Sequence, residues 1–293
     1  MAMPDRVSLA RVRHTVQRLL EEEPLGVIPR AHQERAVDRV YRAVHATPLR
    51  PDTGFSSDRK AYGVMVAEAE ERLGDLTAER TDFTPVTADA TGRTVAACPD
   101  GVEVVLREGE FNTSATGRTT VRTSGLSTHV GARWLYWTPP RFPGGADARV
   151  YVHARSEEAL NVWCRIVRAL HRGGLVFAAK VGGSVTMLDR TDCIVLYCSA
   201  DDLPAVAETA ATHCPDPIPA VSGFSVAVRP GIGAALVPEP DTGPIAMSVG
   251  YHWSRALVDA WDNAGLDGLE PVYTRLARSW AQTRQCLRTE GAA

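Results

Sequence analysis

Three stretches of this sequence carry side chains suited to binding phosphate and moving protons. In Arg149-Val150-Tyr151-Val152-His153 apolar and polar residues alternate. On a strand, Val150 and Val152 would enter the core while Arg149, Tyr151 and His153 line the opposite face. Lys180 belongs to a second alternating run, in which Leu175, Phe177, Ala179 and Val181 form one face and Val176, Ala178 and Lys180 the other. An amine among small apolar neighbours is partly desolvated, which makes Lys180 a candidate base. Lysine is also scarce here: of 32 basic residues only Lys60 and Lys180 are lysines. The third stretch starts at Ser248. At about 100° per residue, Ser248, His252, Arg255 and Asp259 fall within about 60° of one another on a helix. Val249, Trp253, Ala256 and Ala260 make the adjoining apolar stripe. The first turn of such a helix presents free N–H groups and the positive end of its dipole, a seat for phosphate. Each stretch has a plainer reading too: an exposed sheet face, a lysine reaching solvent beside Gly182-Gly183, and a solvated helix face.

The elements that must position these residues change in character along the chain. The first ninety or so residues read as helices, with helical apolar spacing over 7–20, again at Ala36, Val37, Val40, Tyr41 and Val44, and over 58–76 after a break at 48–54. Glu68, Glu70, Glu71 and Arg72 give the last of these a solvated face. From residue 84 the pattern turns to short β-rich runs at 94–97, 102–107, 119–123, 133–137 and 149–154, with a loop of Pro139, Pro140, Pro143, Gly144 and Gly145 before the last. Helices and strands then alternate. Ser156 is placed to cap a helix with Ala159, Trp163, Ile166, Val167 and Leu170 on one stripe, ended by Gly173-Gly174. Strands at 175–181 and 193–198, a helix at 201–213, a strand at 224–228 and two closing helices at 248–263 and 269–286 complete the reading. The expected fold class is α+β, a helical N-terminal part at 1–83 followed by a mixed β-sheet with flanking helices at 84–293.

Composition narrows the function classes. The chain has 293 residues, 44% hydrophobic and 23% charged, with a formal net charge of −3, so no global positive field draws it to nucleic acid or an anionic membrane. Its start, Met1-Ala2-Met3-Pro4-Asp5-Arg6, has no apolar run and its other apolar runs are strand-sized, which predicts neither signal peptide nor membrane span. Six cysteines in this length do not form a disulfide scaffold, and a cytoplasmic protein with reduced thiols is expected. Gly231-x-Gly233 lacks the third glycine of a dinucleotide fingerprint, and Pro238 and Pro240 forbid the helix that should follow. No Walker loop, kinase Asp-Phe-Gly or His-Arg-Asp, or Gly-x-Ser-x-Gly elbow is present. Cys193, Cys198, His213 and Cys214 lack a close Cys-x-x-Cys pair, and on one strand Cys193 and Cys198 would point to opposite faces. Buried thiols, with no metal and no cofactor, are the expectation.

Five motifs then occur in order: Arg149-Val-Tyr-Val-His153, Phe177-Ala-Ala-Lys180, Arg190-Thr-Asp-Cys-Ile-Val-Leu-Tyr197, Arg229-Pro-Gly-Ile-Gly233 and Ser248-Val-Gly-Tyr-His252. Together, over roughly residues 90–263, they resemble the type III effector HopA family. Homologues of that family in bacterial peptide-natural-product clusters serve as lyases for class V lanthipeptides and thioamitides. The family pattern near the last helix reads Ser-Phe-Gly-x-His-Arg, where this chain has Val249 and Trp253 at the aromatic and Arg positions, with Arg255 nearby on the same stripe. The resemblance implies a phosphoserine/phosphothreonine lyase acting beside a separate Ser/Thr kinase of the aminoglycoside-phosphotransferase-like kind. The kinase would phosphorylate a precursor peptide, and the lyase would eliminate phosphate to leave dehydroalanine or dehydrobutyrine.

That chemistry needs a base for the Cα proton, donors for the developing enolate-like oxygen and ligands for a departing phosphate. Lys180 is assigned as base and His252 or His153 as acid to the leaving group. Arg149, Arg190, Arg229 and Arg255 are candidate phosphate ligands, with Ser248 at the helix start, and Tyr151 would orient one of them. Two rivals remain: a non-catalytic scaffold or effector-like binding protein for kinase and precursor, and an unrelated phosphate-binding enzyme such as a phosphatase.

Overall fold

The computed structural model describes residues 9–22, 30–47, 59–80, 87–88, 94–97, 103–106, 110–113, 119–129, 134–139, 142, 146–238 and 248–288. The break expected at 48–54, Pro140, Pro143, Gly144, Gly145 and Pro240, and the first eight residues lie outside these. In chain order the helices are α1 (Leu9–Glu21), α2 (Arg30–Val40), α3 (Arg59–Leu73), α4 (Ala159–Arg172), α5 (Val185–Leu188), α6 (Leu203–His213) and α7 (Val249–Cys286); a π-helical turn, Tyr41–His45, ends α2. The strands are β1 (Thr77–Arg80), β2 (Thr87–Ala88), β3 (Thr94–Ala97), β4 (Glu103–Leu106), β5 (Phe111–Thr113), β6 (Thr119–Ser124), β7 (Leu126–His129), β8 (Trp134–Trp137), β9 (Ala148–Val152), β10 (Ala178–Gly182), β11 (Ile194–Cys198), β12 (Val226–Arg229) and β13 (Ile232–Leu236). Two three-stranded sheets, β1-β6-β5 and β2-β3-β4, accompany a seven-stranded sheet of order β12-β13-β9-β11-β10-β8-β7.

The fold class is α+β, and the main sheet is antiparallel throughout rather than mixed. The crossover through α4 makes β9 and β10 run the same way, but β11 inserts between them and pairs antiparallel with both. Alternation assigns the two faces. Ala148, Val150, Val152, Ala179, Val181, Ile194, Leu196 and Ile232 pack against α4, α6 and the Ala69 and Leu73 side of α3. Tyr151, Val195 and Ala235 point the other way, into a second core built from α1, α2, the π-helical turn and α7. The N-terminal helices therefore cover both faces of the sheet. Arg149, Tyr151 and His153 are consequently buried rather than on an exposed face.

Several local expectations shift. Helix α4 begins at Ala159 with Glu158 at its cap position, so Ser156 does not cap it; it ends at Gly173, and Gly174 takes the positive φ of 71° that glycine accepts without strain. The segment from Arg229 is a hairpin: Gly231, at φ 69°, turns the chain into β13, which sequence alternation did not reveal. The two closing helices are present within α7, separated where Gly265 leaves helical geometry at φ 58° and ψ −139°. Cys193 and Cys198 both sit in the core under α4 and α6, because Cys193 precedes β11 and escapes its alternation. Burial pushes both thiols up to about 12, away from the thiolate a metal needs. Among the described residues no His, Cys, Asp and Glu group could hold a metal ion, and no helix is long and apolar enough to cross a membrane.

Candidate functional site

The register of the sheet sets the site. Lys180 pairs with Tyr136 on one side and Val195 on the other, and Val195 pairs with Tyr151. Two residues along, Ala178 pairs with Tyr197 and Tyr197 with Arg149. Because pairing partners share a face, Lys180, Tyr136, Tyr197, Arg149 and Tyr151 all face the α1, α2 and α7 side, with Lys180 and Tyr151 two strand spacings, about 10 Å, apart.

On this face cations and rings alternate. Lys180 Nζ stands 4.2 Å from the Trp134 ring centroid and 5.8 Å from that of Tyr197. The Arg149 guanidinium carbon is 5.3 Å from the Tyr197 ring centroid. Arg190, from the turn before β11, lies 5.6 Å from Trp134 and 5.5 Å from Tyr41. The row thus runs Tyr41, Arg190, Trp134, Lys180, Tyr197, Arg149. Rings of this kind hold cations by their negative faces while leaving the N–H donors for other partners. Arg149 is deep, at 3% exposure, whereas Lys180, Tyr197 and Arg190 are half-buried.

Below the row lies a polar network that the sequence reading left out. Arg190 grips Asp192 with Nε and Nη2, each contact 2.8 Å. Burial opposes the charge on Asp192, but the Arg190 guanidinium, with Lys180 behind it, holds its carboxyl below the usual carboxylate range. His45 is 1% exposed. Its Nδ1 meets the Ser222 hydroxyl in a short hydrogen bond, its Nε2 is 3.9 Å from Asp192, and its ring packs edge-on against Tyr151 with centroids 4.9 Å apart. Burial pushes this imidazole down to about 4 against the pull of Asp192, so it is neutral at neutral pH. Burial likewise raises the Tyr151 hydroxyl, partly offset by Arg149, keeping it a phenol. The first turn of α7 rests on His45: a Cβ at Gly250 would lie 2.2 Å from His45 Cδ2. The glycine of the Ser248-Val249-Gly250-Tyr251-His252 motif is therefore a packing requirement.

The expected site residues divide. Lys180, Arg149, Arg190 and Tyr151 come together on one face. His252 is half-buried in the first turn of α7, beside Trp253, and that turn approaches His45 closely at Gly250. Ser248 caps α7, its hydroxyl accepting from the Tyr251 N–H at 3.0 Å. Val249 and Trp253 are core residues at 1% and 2% exposure, which accounts for their apolar character. Arg255 turns to α2, where it pairs with Glu34, and it donates to the Tyr251 hydroxyl at 2.8 Å. His153 is fully buried with Nδ1 3.0 Å from the Ala220 carbonyl, and burial lowers its pKa; it braces the 218–220 turn and cannot meet a peptide. Arg229 is on the far side, bonded to Glu208 of α6 at 2.9 and 2.8 Å, so the structure does not bring it to the row. Tyr41, His45, Asp192, Trp134 and Tyr197 are the additions; an Arg-x-Asp spacing at 190–192 was the one signal in the sequence that pointed to them.

An antiparallel α+β fold with a cationic face under a helical cover is the class so defined. Residues 138–283 match the model of the HopA1 effector protein family, and this segment holds Arg149, Lys180, Arg190, Asp192 and the first turn of α7. The chain is similar to a solved structure described as the effector protein from Pseudomonas syringae pv. syringae strain 61, with 12% identity over 95% of each chain and a TM-score of 0.47. No curated protein matches it.

Proposed function

We propose that this chain is a lyase that β-eliminates phosphate from phosphoserine or phosphothreonine in a precursor peptide phosphorylated by a separate kinase. The observation that carries the reading is the convergence of Lys180, Arg149 and Arg190 on one face, interleaved with Trp134 and Tyr197. Arginine forks suit a phosphate dianion, and a lysine between them stands where the residue bearing that phosphate must lie. In the elimination the unprotonated Lys180 amine takes the Cα proton. The electron pair left on Cα forms the Cα–Cβ double bond, the Cβ–O bond breaks, and its electrons leave with phosphate. Arg149 and Arg190 neutralise the departing oxygens, while His252 supplies the proton to the leaving group. Donors aimed at the enolate-like carbonyl oxygen would contribute about 3–4 kcal/mol, and general catalysis ~10²–10⁴-fold.

The test is incubation of the purified chain with a peptide carrying phosphothreonine, followed by mass spectrometry and phosphate release. Elimination yields free phosphate and dehydrobutyrine. Phosphate with restored threonine marks a phosphatase, and a bound but unchanged peptide marks a scaffold; either result contradicts the proposal. The unphosphorylated peptide with ATP and no kinase should stay unchanged in mass.

A further inference from the structure

Tyr41 lies outside the family-matched segment 138–283, yet it ends the cationic row against Arg190. The π-helical turn makes this possible. The Ala46 N–H bonds to the Tyr41 carbonyl at 3.0 Å, five residues back, and this wider turn points both Tyr41 and His45 at the sheet with ring centroids 5.3 Å apart. Such turns are rare and concentrate at functional positions.

The Tyr41 hydroxyl accepts from Arg190 Nη2 at 2.8 Å and donates to Asp192 Oδ2 at 3.1 Å. Asp192 also takes Arg190 Nε and Nη2. Three of the five guanidinium N–H groups are thereby fixed. The remaining amine, Nη1, meets the weak acceptor Met187 Sδ at 3.4 Å. The Arg190 side chain keeps 16% exposure while Asp192 keeps 3%, so the carboxylate that anchors the guanidinium is the deeper of the two. Asp192 alone would hold the charge; the hydroxyl adds a second direction and fixes the plane.

We infer that Tyr41 is a positioning residue that sets the Arg190 guanidinium plane so that its Nη1 amine takes a phosphate oxygen beside Lys180. The inference rests on the phosphate reading of this face. It also makes the helical segment before the family-matched region part of the binding apparatus.

Tyr41→Phe tests it, because phenylalanine keeps the ring contacts with His45 and Arg190 and removes only the hydroxyl. Inorganic phosphate should bind about fivefold more weakly to the variant. The KM for a phosphothreonine peptide should rise by a similar factor while kcat changes by less than about twofold and the thermal midpoint holds. In an Arg190→Lys background, where no planar fork exists to orient, Tyr41→Phe should add nothing. Failure of the wild-type chain to bind phosphate would overturn the reading of the face. Phosphate binding that is equal in wild type and Tyr41→Phe, including the case where the variant only loses stability, would overturn the role of Tyr41 alone. So would effects of Tyr41→Phe and Arg190→Lys that simply multiply.

Discussion

Lowering the pH from about 7.5 to about 5 should weaken the fold through His45. In the folded chain its imidazole is buried, neutral and titrates at about 4, whereas in the unfolded chain it titrates near 6.5. Between those values the unfolded chain binds a proton that the folded chain refuses. Stability is therefore full above about 6.5, falls as pH drops toward 4, and levels off below. These two values give a loss of about 2 kcal/mol at pH 5 and about 3 kcal/mol once the window is crossed. His153 adds to it in the same direction. Asp192 does not interfere: its carboxyl is held low, so its contribution is lost only as pH falls below the ordinary carboxylate range. Urea unfolding followed by tryptophan fluorescence at several pH values in this window measures the loss. His45→Gln keeps a polar side chain that does not titrate, and it should flatten the curve by the His45 share. A wild-type stability that is unchanged between pH 7.5 and 5, or a His45→Gln variant as acid-sensitive as wild type, would refute the placement of a neutral His45 in this network.

Gly250→Ala should cost about 1–3 kcal/mol in denaturant unfolding, because the new methyl meets the His45 ring. Combined with His45→Ala the cost should be less than additive, and strict additivity would show that the contact is not the cause. Arg229→Ala should leave phosphopeptide affinity unchanged, since Arg229 is bonded to Glu208 on the far side of the sheet. Arg149→Ala should weaken that affinity roughly tenfold, as expected for loss of a charge-assisted contact; calorimetric titration separates the two.

Much of the site was legible because strand alternation is a strong local rule. It placed Arg149, Tyr151 and Lys180 on a common side, and the register of β9, β11 and β10 gives that side its row. What alternation could not supply was anything set by packing between distant segments. Arg229 looks like a ligand in sequence, but the hairpin at Gly231 and its partner Glu208 carry it to the opposite face. His153 follows the same alternation as Arg149, yet the Ala220 carbonyl claims it at the end of the strand. Tyr41 was read only as part of a helical stripe and His45 not at all, since nothing local announces that a π-helical turn will aim them at Asp192, 151 residues on from Tyr41. Arg255 fell on the predicted stripe with Ser248 and His252 but is drawn off by Glu34, an acid contributed by α2.

The most direct test of the central claim compares wild type and Lys180→Ala on a phosphothreonine peptide, reading conversion by mass spectrometry and binding by titration in parallel. Lys180 supplies the base, whereas Arg149 and Arg190 supply the phosphate contacts, so the variant should still bind the phosphopeptide and leave it phosphorylated, while wild type turns it into the dehydrobutyrine product. Conversion by Lys180→Ala at the wild-type rate would contradict the assignment of the base, and a wild-type chain that leaves the bound phosphopeptide intact would contradict the lyase account itself.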